Sequence, residues 1–482
     1  MIKHGQIPAL GAWLEAIPLE EREARPALLS LLGVVRSARD DFQSGLSLQS
    51  QALAMEEAQT VSELAARIRL RRAADLLSLG RATEALKDAD DVLDLAVNGL
   101  DQPTLLAEAL WLKGTILLEQ GKAVLATPWL EDSLQRFEKL QDAPLIARAQ
   151  MNLGVALERQ NRYTEARRYY ELSLDHLLQV GNLVQASTSL NNLAVLCTST
   201  GDYEQAERQG RRSVALEPRD GWGWHAVAHA MEMRNRAGDG VDWLRPNADH
   251  WSPGSFLAVH NWWHLALFEL ELEHVDEALR LFDGPIHGAR STVVLDMIDA
   301  SSMLWRLYLR GVELGDRWQT VADGWAPIAG AGNYAFNDLH AMMAFVGSGR
   351  RNAQEQVLEA QRAALESDGD NAAFTREVGM PACLAFRAFG DGDYAESVRL
   401  LRSIRGNAQR FGGSHAQRDV IELTLSEAAL RTGDTALATA LANERLAMRP
   451  RSPLARLLVQ RAARMGERGS GIGSDRVART AA

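Results

Sequence analysis

Four of the eleven histidines in this 482-residue chain fall in two pairs with helical spacing, His225-Ala-Val-Ala-His229 and His260-Asn-Trp-Trp-His264. An i, i+4 spacing stacks two imidazoles on one face of a helix, about 6 Å apart. In that geometry two nitrogens can grip one metal ion or one anion. These four residues are the candidate metal ligands, with a divalent metal as the candidate cofactor. Glu232 continues the His225–His229 stripe one turn further on. The plainer reading of a histidine on an apolar helix is a hydrogen-bonded core residue, and it suits His4 and His287. For two pairs on successive helices it is costly, because each buried imidazole needs a partner.

The elements that must position these residues show in a recurrence. The segments beginning at Leu79, Gln120, Gln160 and Thr200 read Leu-Gly-Arg-Ala-Thr-Glu-Ala, Gln-Gly-Lys-Ala-Val-Leu-Ala, Gln-Asn-Arg-Tyr-Thr-Glu-Ala and Thr-Gly-Asp-Tyr-Glu-Gln-Ala, at spacings of 41, 40 and 40 residues. A period of this size marks a helical repeat. Gly or Asn ends one helix in the left-handed conformation, and the small residue five positions on (Ala85, Ala126, Ala166, Ala206) lets the next helix pack closely. An earlier copy fits at Asp40 to Gly45. Later turns read at Gly238, His274, Gly315, Gly349, Gly392 and Gly433. The expected fold is all-α, a right-handed superhelix of tetratricopeptide-like helical hairpins. Residues 1–217 form regular repeats, 218–465 a tighter repeat domain around a histidine-rich pocket, and 466–482, rich in Gly and Ser, a disordered tail.

Counting back nine residues from each turn, or ten at His274, lands on Asn152, Asn192, His229, His264, Arg306, His340 and Cys383. First helices of such hairpins line the concave side. The expectation is a polar row that changes from Asn to His and Arg along the groove. Trp222, Trp224, Trp243, Trp251, Trp262 and Trp263 crowd the same stretch, as core or as the apolar wall of a pocket.

Two resemblances follow from longer motifs. Gly11-Ala-Trp-Leu-Glu-Ala-Ile-Pro18 with Ala24-Arg-Pro-Ala-Leu-Leu29, and the period to about residue 217, resemble the superhelical domain of maltose-activator-type LuxR regulators. No phosphate loop or basic helix-turn-helix accompanies them, so the ATPase and DNA-binding roles do not transfer. Over about 218–465, Trp224 to His229, His260 to His264, Leu295 to Arg306, Phe336 to His340 and Gly412 to Val420 resemble the tetratricopeptide repeat protein 38 family. That resemblance implies a helical-repeat fold and weight on these polar residues, without an activity.

A formal charge of 52 − 63 = −11 argues against nucleic acid as a partner. Two cysteines, no leader and no apolar run near membrane-spanning length suggest a reduced, cytoplasmic protein with no membrane partner. Three functions fit. One is binding of a peptide or small anionic ligand in a His/Arg/Trp-lined pocket, with Asn152 and Asn192 on a peptide backbone, Arg306 as the anion clamp, His225, His229, His260, His264 and His340 around it, and a protein partner on the N-terminal repeats. Another is a metal-dependent, hydrolase-like enzyme using the paired histidines, with Glu232 or Asp338 as carboxylate ligand or general base. The third is a thiol enzyme pairing Cys383 with His340.

Overall fold

The computed structural model describes residues 7–39, 41–60, 62–97, 99, 101–367 and 370–465. His4, Asp40 and the 466–482 tail lie outside these residues. Every regular element among the described residues is helical, arranged as successive hairpins such as Pro103–Glu119 with Ala123–Leu140 and Ala143–Arg159 with Tyr163–Gln179. No described helix is long and apolar enough to cross a membrane.

The turns form for the reason the recurrence suggests. Gly80, Gly121, Asn161 and Gly201 sit at φ of 74°, 75°, 60° and 80°. The amide three positions after each first helix folds back on its last turn, as in Lys122 N–H to the Leu117 carbonyl and Asp202 N–H to the Cys197 carbonyl, both 2.8 Å. Ala85, Ala126, Ala166 and Ala206 are fully buried where the paired helices touch. At Gly154 the approach is closer still, since a Cβ there would stand 2.4 Å from the Tyr170 ring.

Two later turns depart from expectation. Gly238 lies inside the Ala237–Leu244 helix, and the left-handed residue that ends the preceding helix is Asn235, at φ 54°. Likewise Gly311, at φ 75°, closes the Val294–Leu309 helix ahead of Gly315. Both shifts, of three and four residues, are about one helical turn, so His229 and Arg306 stay on the face that the counting assigned to them.

The chain divides into two compact units, residues 1–202 with 215–217, and residues 203–214 with 218–482. In the first unit, side-chain bonds such as Asn152 to Thr115 and Arg71 to Ser30 join elements 37 and 41 residues apart, about one repeat. In the second, the His415–Thr432 helix packs directly on Val294–Leu309. There Trp305 Nε1 donates to Thr424 Oγ1 at 2.9 Å across 119 residues of chain. One continuous apolar core fills this unit, including the fully buried Trp251, Trp263, Trp305 and Trp325.

Candidate functional site

In the second unit the Gly221–Met233 helix carries His225 and His229, and the Ala258–Glu271 helix carries His260 and His264. The two helices pack together, and one ring nitrogen from each of the four histidines lies within 4.8 Å of the others. Five of the ring pairs have centroids 4.4–5.1 Å apart. The His260 Nδ1 lies 2.8 and 3.0 Å from the two Asp299 oxygens, so its N–H donates to the carboxylate and its Nε2 faces inward. Trp263 stacks on His260 at 5.2 Å and fixes its plane. Both nitrogens of His264, and Nε2 of His225, are buried without a hydrogen-bond partner. Burial drives His225 and His264 well below the ordinary imidazole range and His229 down to about 3, with neighbouring histidines adding to each. All three are therefore neutral and present lone pairs.

The other expected site residues do not join this group. The Arg306 guanidinium is held by backbone carbonyls, Nη1 on Ser302 at 3.0 Å and Nη2 on Ala416 at 2.6 Å, which occupies donors that an anion clamp needs. Burial lowers it to about 10. His340 donates from Nδ1 to the Phe336 carbonyl at 2.8 Å, packs on the Phe336 ring and is lowered by burial to about 4. It lies outside the four-histidine group, because register fixes a face but leaves free which neighbour that face meets. Asp338 lies outside it too, beside Gln361 and Cys383, and burial raises it to about 6. The Cys383–His340 pair does not form either. Gln361 Nε2 donates to the Cys383 sulfur at 3.5 Å, and burial, with Asp338 adding, pushes the thiol well above its usual range. A fully buried, neutral thiol is no nucleophile. Glu232 stands 3.8 Å from His229 Nδ1 and 3.5 Å from Arg449, its charge disfavoured by burial.

Next to Glu232 and Arg306 is a chamber of about 80 Å³ walled by Glu271, Asp419, Arg445 and Arg449. Burial opposes the Asp419 charge, but Arg445 and Arg449 outweigh it and hold the carboxyl below the usual range. The Arg445 fork grips both Asp419 oxygens at 2.8 Å. Arg236, Arg310, Arg461 and Glu427 line it as well, so arginines outnumber carboxylates there.

The first unit offers a different surface. A cavity of about 490 Å³ is lined by Arg67, Arg71, Glu108, Trp111, Arg148 and Asn182, among others. The Arg148 guanidinium lies over the Trp111 ring at 3.8 Å, and neither Arg148 Nε nor Trp111 Nε1 has a hydrogen-bond partner. Neither Arg148 nor Arg71 forms an ion pair within 4.0 Å among the described residues. Burial lowers both. Asp75, raised to about 6 by burial, completes the polar lining. Asn152 is one turn from Arg148 and donates to Thr115 Oγ1 at 2.7 Å, while Asn192 is half-buried on the Leu183–Ser199 helix.

A family model described as tetratricopeptide repeat matches residues 105–179 and 145–217. Residues 105–217 are tetratricopeptide repeats. The chain is 29% identical over 122 residues to the photosystem I assembly protein Ycf3 of Prochlorococcus marinus strains NATL1A and NATL2A, a match that takes in 23% of this chain and 69% of the relative. Among solved structures, the apo quorum sensor NprR from B. thuringiensis aligns with 73% of this chain and 97% of its own, at 14% identity and a TM-score of 0.45. Yeast Tom70 aligns with 92% of this chain and 96% of its own, at 14% identity and a TM-score of 0.36.

Within the tetratricopeptide repeats, Trp111 and Arg148 were not singled out by sequence, and neither was Arg71 in the repeat before them. A signal for Arg71 existed, since counting nine residues back from Gly80 gives it directly, while Arg67 and Arg148 lie one turn before their row positions. Asp299 also escaped notice, although it precedes Arg306 by seven residues on the same helical face.

Proposed function

We propose that this protein binds a partner polypeptide in the groove of its first unit, gripping a carboxylate of an extended, acidic segment. The observation that supports this reading is Arg148, a largely buried guanidinium with no ion pair and an Nε without any partner, set against Trp111 at the edge of a 490 Å³ cavity. Desolvated cations without a counter-charge are costly. A charged carboxylate from a ligand would satisfy Arg148 and Arg71 together, and the Asn182 and Gln185 side chains lie where a peptide backbone would pass. Helical repeats offer such a surface because each first helix contributes one row of side chains to it. The reading takes the second unit, over 218–465, as a further repeat domain, in keeping with the resemblance of its motifs to the tetratricopeptide repeat protein 38 family. The two unpaired, buried thiols, Cys197 and Cys383, suit a reducing, cytoplasmic setting.

The test is binding of a fluorescein-labelled oligoglutamate peptide and its oligoglutamine counterpart to the full chain, read by anisotropy. The acidic peptide should bind saturably, and Arg148→Gln should weaken it at least about tenfold, the loss expected for one charge-assisted hydrogen bond. Rising ionic strength should weaken it as well. No binding, or equal binding of the two peptides, overturns the reading. So does unchanged affinity in Arg148→Gln.

A further inference from the structure

We propose that His225, His229, His260 and His264 form a four-imidazole site for one divalent first-row transition-metal ion, of the zinc class, in the second unit. This inference is independent of the peptide groove, since the residues belong to a different unit and a different set of helices.

Four features point to a cation rather than to packing. The donor atoms come first. A tetrahedral ion with metal–nitrogen bonds of about 2.05 Å places its ligands about 3.3 Å apart. The four nitrogens stand within 4.8 Å of each other, so an inward movement of about 1 Å by each ring closes the shell. Side-chain rotation on two fixed helices supplies that without moving backbone.

The unmet hydrogen bonds come second. A core histidine that serves only to fill space still satisfies its N–H and its lone pair. His264 is fully buried and satisfies neither, and His225 leaves Nε2 bare. A metal takes the lone pairs that no hydrogen meets.

Third is the support behind the ligands. Metal-bound imidazoles characteristically donate their other N–H to a carboxylate, which sets the tautomer and raises basicity. Asp299 does this for His260, and Glu232 stands behind the Nδ1 of His229. Asp299 is itself fully buried, held against the His260 ring on the side away from the other three histidines.

Fourth is the chemistry of the donor set. Neutral nitrogen ligands without thiolate or clustered carboxylate suit zinc, copper, nickel, cobalt or iron, and disfavour calcium and magnesium, which take oxygen. Trp263 on one side and Trp222, edge-on to His225 at 6.0 Å, on another hold the rings in place.

The experiment uses the full-length chain, purified without a histidine tag after growth with added zinc, cobalt, nickel, copper and iron. Elemental analysis should find about one ion per chain in the wild type. His264→Ala and His225→Ala should each lose most of it, and His340→Ala, a buried histidine outside the cluster, should keep it. Cobalt added to chelator-treated wild type should give the visible absorption of tetrahedral nitrogen coordination, and zinc should restore the melting temperature that chelation lowers. Because the cobalt measurement uses wild-type chain, it stands even if the alanine variants misfold. Wild type with no metal, no cobalt absorption and no thermal response to zinc overturns the proposal. Undiminished metal in both alanine variants, with their helix content intact by circular dichroism, does so too.

Discussion

The two units use the same positions of the same kind of helix for opposite ends. Nine residues before a turn, and one helical turn before that, the first unit places Arg71 and Arg67 on one helix and Asn152 and Arg148 on another, while the second places His264 and His260. In the first unit Arg67, Arg71 and Arg148 line an open groove, where Arg67 pairs with Glu63 while Arg71 and Arg148 form no ion pair among the described residues. In the second they face an adjacent helix, and the imidazoles are sealed against tryptophan. The repeat therefore sets only where a side chain is presented. Whether that place becomes a surface or an interior is decided by what packs opposite.

Truncating the aromatic wall of each unit separates the two cases most sharply. Trp263→Ala, which removes a fully buried indole and its bond to Ser302 Oγ at 3.0 Å, should cost about 3–5 kcal/mol in chemical denaturation. Trp111→Ala, at a groove edge with an unpartnered Nε1, should cost about 1 kcal/mol. Equal costs would mean that the first unit's cavity is core and the contrast false.

A second pair compares arginines. Arg445→Gln strips the bidentate partner from Asp419 and should destabilise by about 2–3 kcal/mol, because it leaves a mostly buried carboxylate short of its main counter-charge. Arg148→Gln strands no acid and should stay within about 0.5 kcal/mol of wild type. If Arg148→Gln were as damaging, its guanidinium would be a structural ion after all.

The smallest effect concerns Asp338, the carboxylate that sequence offered as a ligand or general base and that packing placed beside Gln361. Its folded pKa, raised to about 6, lies above its unfolded value, so the folded state holds a proton that the unfolded state releases. Stability from this group is therefore full below about pH 4 and declines as pH rises through about 6. Asp338→Asn should abolish that decline, gaining about 1–2 kcal/mol at pH 7 and nothing at pH 4. A gain of the same size at both pH values would rule out the titration as its source.

Much of the architecture was legible because a turn residue is a local fact. Gly80, Gly121, Asn161 and Gly201 need only their own φ, and a misplaced turn at Gly238 or Gly315 cost nothing in facing, since the error matched one helical turn. The histidine pairs were legible for the same reason, as both partners share a helix. What sequence could not supply was the partner across space. Arg306 meets the carbonyl of Ala416, 110 residues away, and His260 meets Asp299 from the next hairpin. Cys383 and His340 share a row yet turn to different neighbours, Gln361 and Phe336. No periodicity encodes such pairings, because they depend on how far the superhelix winds before one hairpin returns to another.

That winding has a kinetic side. In the first unit each hairpin leans on the next, so repeats can fray one by one from an end and reform without waiting for distant chain. The second unit ties Trp305 to Thr424 and Arg306 to Ala416, contacts that close loops of more than a hundred residues and form only when most of the unit is already in place. Its amides should therefore exchange with solvent as one slow block, while those of the first unit exchange on a gradient along the chain. The histidines sit inside the block, held at fixed spacing until the whole of it opens.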